Sequence, residues 1–195
     1  MDMGRLLAIA IGAILINNFV LARFLGLCSF IAISQRLETA VGMGLSVIFV
    51  TTMASLIIWP IYHLVLVPLQ IEFLYIVTFI LVIAGFVQLT EMVVRKINIV
   101  LYRSLGIYLP LITCNCMVLA VAFLNVKKIY SLGESVLHGI AAGMGYTLAL
   151  ILMTAIRERL ELADSPPSLA GNPLAFIVAG LLSLAFVGFS GLAVE

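Results

Sequence analysis

Charged residues in this chain are few and clustered, and the runs between the clusters are apolar over membrane-spanning lengths. That spacing constrains the fold more than any other feature. Cutting at the clusters leaves six segments: Leu6 to Ile33, Val41 to Leu66, Phe73 to Val94, Ser104 to Leu124, Ser135 to Ile156 and Leu174 to Val194. A spanning helix needs about 20 apolar residues. Of 195 residues 64% are apolar, and 10 basic with 9 acidic residues make only 19 formal charges. Soluble domains are usually about 45–50% apolar and about 25% charged. A mean hydropathy of +1.29 excludes a water-exposed enzyme, a nucleic-acid-binding domain and a disordered chain. A net charge of +1 offers no basic patch for a phosphate backbone. The expectation is an all-α polytopic membrane protein, one integral membrane domain over residues 1–195.

The opening Met1-Asp2-Met3-Gly4-Arg5 leads into an apolar run too long for a signal core, without a small-residue cleavage site, and reads as the first span. Orientation follows the basic loop residues. Arg36, Arg95, Lys96, Arg103, Arg157 and Arg159 fall on one side, against Arg5, Lys127 and Lys128 on the other. The richer side is expected in the cytoplasm, with both termini on the outer face. The longest connection, Arg157 to Pro173, carries Pro166-Pro167, which cannot continue a helix.

The first and fourth spans are irregular. The first is about 28 residues, roughly 42 Å of helix against a hydrocarbon core of about 30 Å, and its middle holds Asn17, Asn18, Arg23 and Gly26. The fourth holds Gly106, Pro110 and Asn115. Both read as helices broken inside the membrane, which is tolerated where the freed backbone is buried in protein or lines a cavity. Each opens a set of three spans, about 1–100 and about 101–195, so the sets have opposite topology. The following spans share a string, Val41-Gly42-Met43-Gly44 and Ala142-Gly143-Met144-Gly145. An inverted repeat of this kind puts sites at mid-membrane between its halves.

The three cysteines, Cys28, Cys114 and Cys116, all fall in the irregular spans. A lone free cysteine is most often a small buried hydrophobe. Thiols at both breaks instead suit a soft metal or a cluster. An iron–sulfur cluster usually takes four ligands, and Cys114 lies awkwardly close to Cys116 to serve alongside it, so a second chain would supply the remainder. A disulfide is the competing chemistry.

Long strings carry a family resemblance: Asn17-Asn18-Phe19-Val20-Leu21, Phe24-Leu25-Gly26-Leu27-Cys28, Glu91-Met92-Val93-Val94-Arg95-Lys96, Leu101 to Ile107, Leu109-Pro110-Leu111-Ile112-Thr113-Cys114-Asn115-Cys116, Ile156-Arg157-Glu158-Arg159 and Gly188-Phe189-Ser190-Gly191. Over its whole length the chain resembles a family of membrane subunits. That family comprises the A-type and E-type subunits of the Rnf electron-transport complex and the D-type and E-type subunits of the sodium-pumping NADH:quinone reductase. The doubled Asn and the Arg-Glu-Arg string favour the A-type branch.

The resemblance implies six helices as two inverted three-helix repeats, with helices 1 and 4 broken at mid-membrane, in a bacterial inner membrane. It implies a [2Fe-2S] cluster shared with the homologous E-type subunit, each chain giving two thiolates. Cys28 and Cys116 match the ligand positions, and Cys114 falls on a variable one and is expected to be a non-ligand. It also implies the B-, C-, D- and G-type Rnf subunits as partners, with ferredoxin and NAD bound by partners, and coupling to Na⁺ or H⁺. The chain has no Gly-rich dinucleotide loop of its own and reads as an electron relay of a translocase. Arg23, Gly26, Asn18, Thr113 and Asn115 are candidates for tuning the cluster or recapping the broken helices. Gly139 and Gly143 form a Gly-x-x-x-Gly pattern of close helix packing. His63, Glu72 and His138 read as residues of the outer membrane edge. A redox-free transporter subunit and a scaffold with space-filling thiols are the competing readings.

Overall fold

A computed structural model describes residues 3–69, 74–97, 111–112, 115–161 and 171–190. The described residues are helical, with no strands among them. The first span comes in pieces. α1 (Met3–Ile11) widens into a π turn (Gly12–Ile16), and α2 (Phe19–Arg23) and α3 (Leu27–Ile33) follow across two breaks. α4 (Leu37–Ile61) continues through a second π turn (Tyr62–Leu66) into α5 (Val67–Leu69). Pro60 and Pro68 bracket that turn, and each lacks the N–H that a regular turn would use. α6 spans Tyr75–Ile97, α7 Cys116–Lys127, α8 Leu132–Glu161 and α9 Asn172–Ser190.

α4 and α8 overrun their expected ends. Charges at the membrane edge do not stop a helix: Glu38 in the first turn of α4 suits the helix dipole. At the start of α8, Ser131 and Glu134 form a capping box. The Glu134 carboxylate accepts from the Ser131 N–H at 3.0 Å, and the Ser131 hydroxyl accepts from the Glu134 N–H at 3.5 Å. Leu37–Leu66 and Leu132–Leu160 are long and apolar enough to cross a membrane.

These two helices form the centre, packed antiparallel. A Cβ on Gly44 would meet Thr147, one on Gly143 would lie 2.7 Å from the Ile48 Cα, and one on Gly139 would lie 3.0 Å from the Thr51 carbonyl oxygen. The Gly139/Gly143 pattern is therefore a contact of backbone with backbone, as its spacing predicts. The Thr51 hydroxyl donates to the Gly139 carbonyl at 3.0 Å across the same seam. Met43, Val47, Val50, Tyr146, Leu150 and Met153 fill the surrounding core.

His138, expected at the outer membrane edge, lies in the second turn of α8 with protein around its ring. It is buried, edge-on to both Phe19 and Tyr130. Its Nδ1 lies 2.6 Å from the Asn125 Oδ1. The Asn125 amide nitrogen donates to Ser55 Oγ at 3.1 Å and to the Ser135 carbonyl at 3.3 Å. A polar knot thus ties α4, α7 and α8 together. His63 is exposed, stacked on Trp59, and Glu72 lies outside the described residues.

The close α4–α8 seam generates a prediction. Gly143→Ala forces the helices apart and should cost about 1–3 kcal/mol, read as a lower thermal midpoint of the purified protein. Gly180→Ala adds a methyl that meets nothing within 4 Å and should leave the midpoint unchanged or raised.

Candidate functional site: two helix breaks held together

At the first break, Asn17 N–H closes the π turn on the Gly12 carbonyl at 2.7 Å, and the chain then turns at Asn18. The buried Asn18 side chain uses both ends. Its Oδ1 accepts from the Val20 N–H at 3.1 Å and caps α2. Its Nδ2 donates to the Ile14 carbonyl at 3.2 Å and to the Gly145 carbonyl of α8 at 2.8 Å. One residue therefore caps the new helix, satisfies the old one and fastens both to the central helix. Gly145 allows the approach, since a Cβ there would lie 3.0 Å from the Ala13 carbonyl oxygen.

α2 is only five residues long. Its end turns through Phe24 (φ 54°) and Gly26 (φ 82°), both left-handed. The Phe24 and Leu25 N–H groups return to the Val20 and Phe19 carbonyls, each at 3.0 Å. The Ser183 hydroxyl of α9 donates to the Leu21 carbonyl. Gly26 is constrained twice. Its φ favours glycine, and an added Cβ would lie 3.0 Å from the Asn115 Oδ1 and 3.4 Å from the Met117 Cβ. The break before α3 therefore rests against the start of α7.

Asn115 caps α7 as Asn18 caps α2, its Oδ1 accepting from the Met117 N–H at 3.0 Å. Its Nδ2 donates to Ser29 Oγ at 3.4 Å. Ser29 Oγ donates to the Gly26 carbonyl at 3.0 Å and lies 2.9 Å from the Tyr146 hydroxyl. With its proton on Gly26, Ser29 accepts from both Asn115 and Tyr146, which fills the capacity of one hydroxyl. The far end of α3 is held by Arg157, buried although charged. Its Nη1 donates to the Ile31 carbonyl and to Ser34 Oγ, both at 2.9 Å.

Cys28 is the second residue of α3 and Cys116 the first of α7, so each opens a helix beside the contact of Gly26 with Asn115. Both are free and exposed, where free cysteines usually pack inward. Cys28 borders a recess with Gln35, Asn172 and Phe176. Among the described residues no three His, Cys, Asp or Glu side chains gather to hold a metal. The donor set fits half of a four-thiolate site and requires a second chain for the remainder.

The structure seats Gly26 against Asn115, with Cys28 two residues after the one and Cys116 next to the other, and it ties Asn18 to Gly145, the α8 residue beside Tyr146. Arg23 lines a different cavity, with its guanidinium carbon 5.9 Å from the centre of the Phe19 ring. Thr113 and Cys114 lie outside the described residues, as does Pro110. Ser29, Tyr146, Arg157 and Ser183 escaped the sequence reading. Tyr146 and Arg157 carried a signal: a mid-span hydroxyl, and a cation that a helix running to Glu161 carries inward.

The two caps differ in load. Asn18→Ala removes a cap, costing about 0.5–2 kcal/mol, and also removes the donor to the Ile14 and Gly145 carbonyls that ties the break to α8. Asn115→Ala removes a cap and one longer bond to Ser29. The thermal midpoint should fall further for Asn18→Ala than for Asn115→Ala.

The comparisons with known proteins extend over nearly the whole chain. The family model Rnf-Nqr, described as "Rnf-Nqr subunit, membrane protein", matches residues 6–193. A Shigella boydii serotype 4 protein is 55% identical over 186 residues, 95% of this chain and 96% of its own length. A Cronobacter sakazakii protein is 53% identical over 186 residues, with the same coverage. One from Syntrophotalea carbinolica is 53% identical over 190 residues, 97% of this chain and 98% of its own. All three are named as the A-type subunit of an ion-translocating oxidoreductase complex. With apolar helices of membrane length and this match, the chain belongs to the Rnf-Nqr family of membrane-protein subunits.

Proposed function

We propose that this chain is the A-type subunit of an Rnf ion-translocating oxidoreductase complex and relays electrons across the membrane. In this reading Cys28 and Cys116 supply half the ligands of a [2Fe-2S] cluster, and a homologous E-type subunit supplies the other half. The carrying observation is the seating of Gly26 against Asn115, with an exposed free thiol beside each. Exposure is what a shared cluster requires, because the remaining ligands arrive from outside the chain. Each thiol opens a helix, where free N–H groups and the macrodipole favour a negatively charged ligand set.

Such a cluster supplies one-electron exchange midway across roughly 30 Å of hydrocarbon. The chain's own residues do the rest. Asn18, Asn115 and Ser29 fix the breaks, Gly26 leaves room for the Asn115 side chain, and Tyr146 and Arg157 hold α3 on α8. The pyridine-nucleotide and ferredoxin chemistry belongs to the B-, C-, D- and G-type partners, and ion movement is coupled to electron flow through the assembly. No substrate site is assigned to this chain.

The finer topology belongs to the same proposal: six spans as two inverted three-helix repeats, both termini on the outer face of a bacterial inner membrane. Two observations support it. Asn18 and Asn115 are equivalent caps, each accepting from the N–H two residues on. The helices bearing the repeated Gly-Met-Gly strings pack antiparallel against each other, as a two-fold axis in the membrane plane requires.

Electron paramagnetic resonance on the dithionite-reduced complex tests the assignment. Cys28→Ser or Cys116→Ser should abolish one [2Fe-2S]-type signal while the complex still assembles, and Cys114→Ser should keep it. Retention of the signal in both of the first two variants refutes the ligand set. Absence of iron from the wild-type membrane subunits makes the chain a redox-free transporter subunit.

A further inference from the structure

A second cavity, of about 440 Å³, opens on the other side of the first break. Its size falls within the roughly 300–1,000 Å³ of ligand pockets. Three elements line it: the first turn of α1 with Arg5, the end of α7 with Leu124 and Lys128, and α8 with His138. Asn17 and Arg23 line it at the break itself. Ile9, Ile11, Ile16 and Leu124 make its walls apolar.

The charge in this cavity is unbalanced. Arg5, Arg23 and Lys128 line it, and no carboxylate is among its described lining residues. Glu134 pairs with Arg5 at 3.3 Å. Arg23 sits near the Phe19 ring and Lys128 near the Tyr130 ring at 5.7 Å, and neither side chain makes a hydrogen bond or ion pair among the described residues. Three cations less one carboxylate leave a charge of +2. A ring face offsets little of the cost of holding two cations beside apolar walls, and such charges ordinarily find an anion.

We propose that this cavity binds the phosphate headgroup of an anionic phospholipid, with Arg23 and Lys128 as its charge partners and the α1 wall as the track for an acyl chain. The walls decide between lipid and free phosphate. A free anion has no use for Ile9, Ile11 and Ile16, whereas a lipid covers them, and lipid is the solvent that surrounds this family's chains. The site is separate from the thiols: Cys28 borders the other recess.

The test uses the intact complex in phosphatidylcholine nanodiscs doped with a spin-labelled lipid, either phosphatidylglycerol or phosphatidylcholine. The wild type should immobilise phosphatidylglycerol several-fold more than phosphatidylcholine. R23Q combined with K128Q should make the two lipids equal, and R23K alone should keep the preference. Inorganic phosphate should not release the lipid. Equal immobilisation of both lipids by the wild type overturns the proposal. Release by inorganic phosphate makes this a free-anion site and overturns the lipid assignment. Failure of the R23Q and K128Q complex to assemble, with R23K assembling normally, assigns the cations to a partner's carboxylate and equally overturns it.

Discussion

A helix that stops inside a bilayer leaves backbone N–H and C=O groups with no water to bind, and each group left bare costs several kcal/mol. With the breaks at mid-membrane, as proposed, the arrangement around α2 and α3 answers that constraint. Asn18 and Asn115 supply acceptors to newly exposed N–H groups, and Ser183 and Arg157 supply donors to newly exposed carbonyls. The donors from α8 and α9 arrive from distant sequence, so satisfying the breaks also fixes the tertiary fold. Burying the Arg157 cation under α3 is tolerable because two acceptors meet one of its nitrogens.

The same bonds give the thiols their geometry. α3 has seven residues and α2 five, too short to be stable helices alone. Their positions come from Ser29 to Tyr146, from Gly26 against Asn115, and from Arg157 to Ile31. The proposed cofactor between chains would need ligands whose places are set before it arrives, and hydrogen-bonded helix ends would meet that need. α4 and α8 are the fixed frame, packed so closely that glycine is required where they touch.

Much of this was legible from residue types with few structural uses. Paired asparagines and a glycine between apolar residues each marked a break in the first helical run, because each disrupts a regular helix. The Gly-x-x-x-Gly pattern marked the α4–α8 seam. What stayed hidden depended on direction. Serine occurs often in apolar spans, and nothing local announces that Ser29 meets Tyr146 over 117 positions. Counting loop charges put Arg157 among edge residues, yet α8 continues past it and turns it inward. His138 read as an edge residue because it follows a charge cluster by a few positions, and the fold gives it Asn125 as a buried partner.

The proposed shared site requires that the two meeting breaks bring the Cys28 and Cys116 thiols within reach of each other. Dibromobimane, which fluoresces when it joins two thiols a few ångströms apart, tests that most directly. It would be applied to the Cys114→Ser chain in the complex after iron chelation. Fluorescence that disappears with Cys28→Ser or Cys116→Ser is the predicted result. Two separate single-thiol adducts, with no bridge between them in the assembled complex, would contradict it.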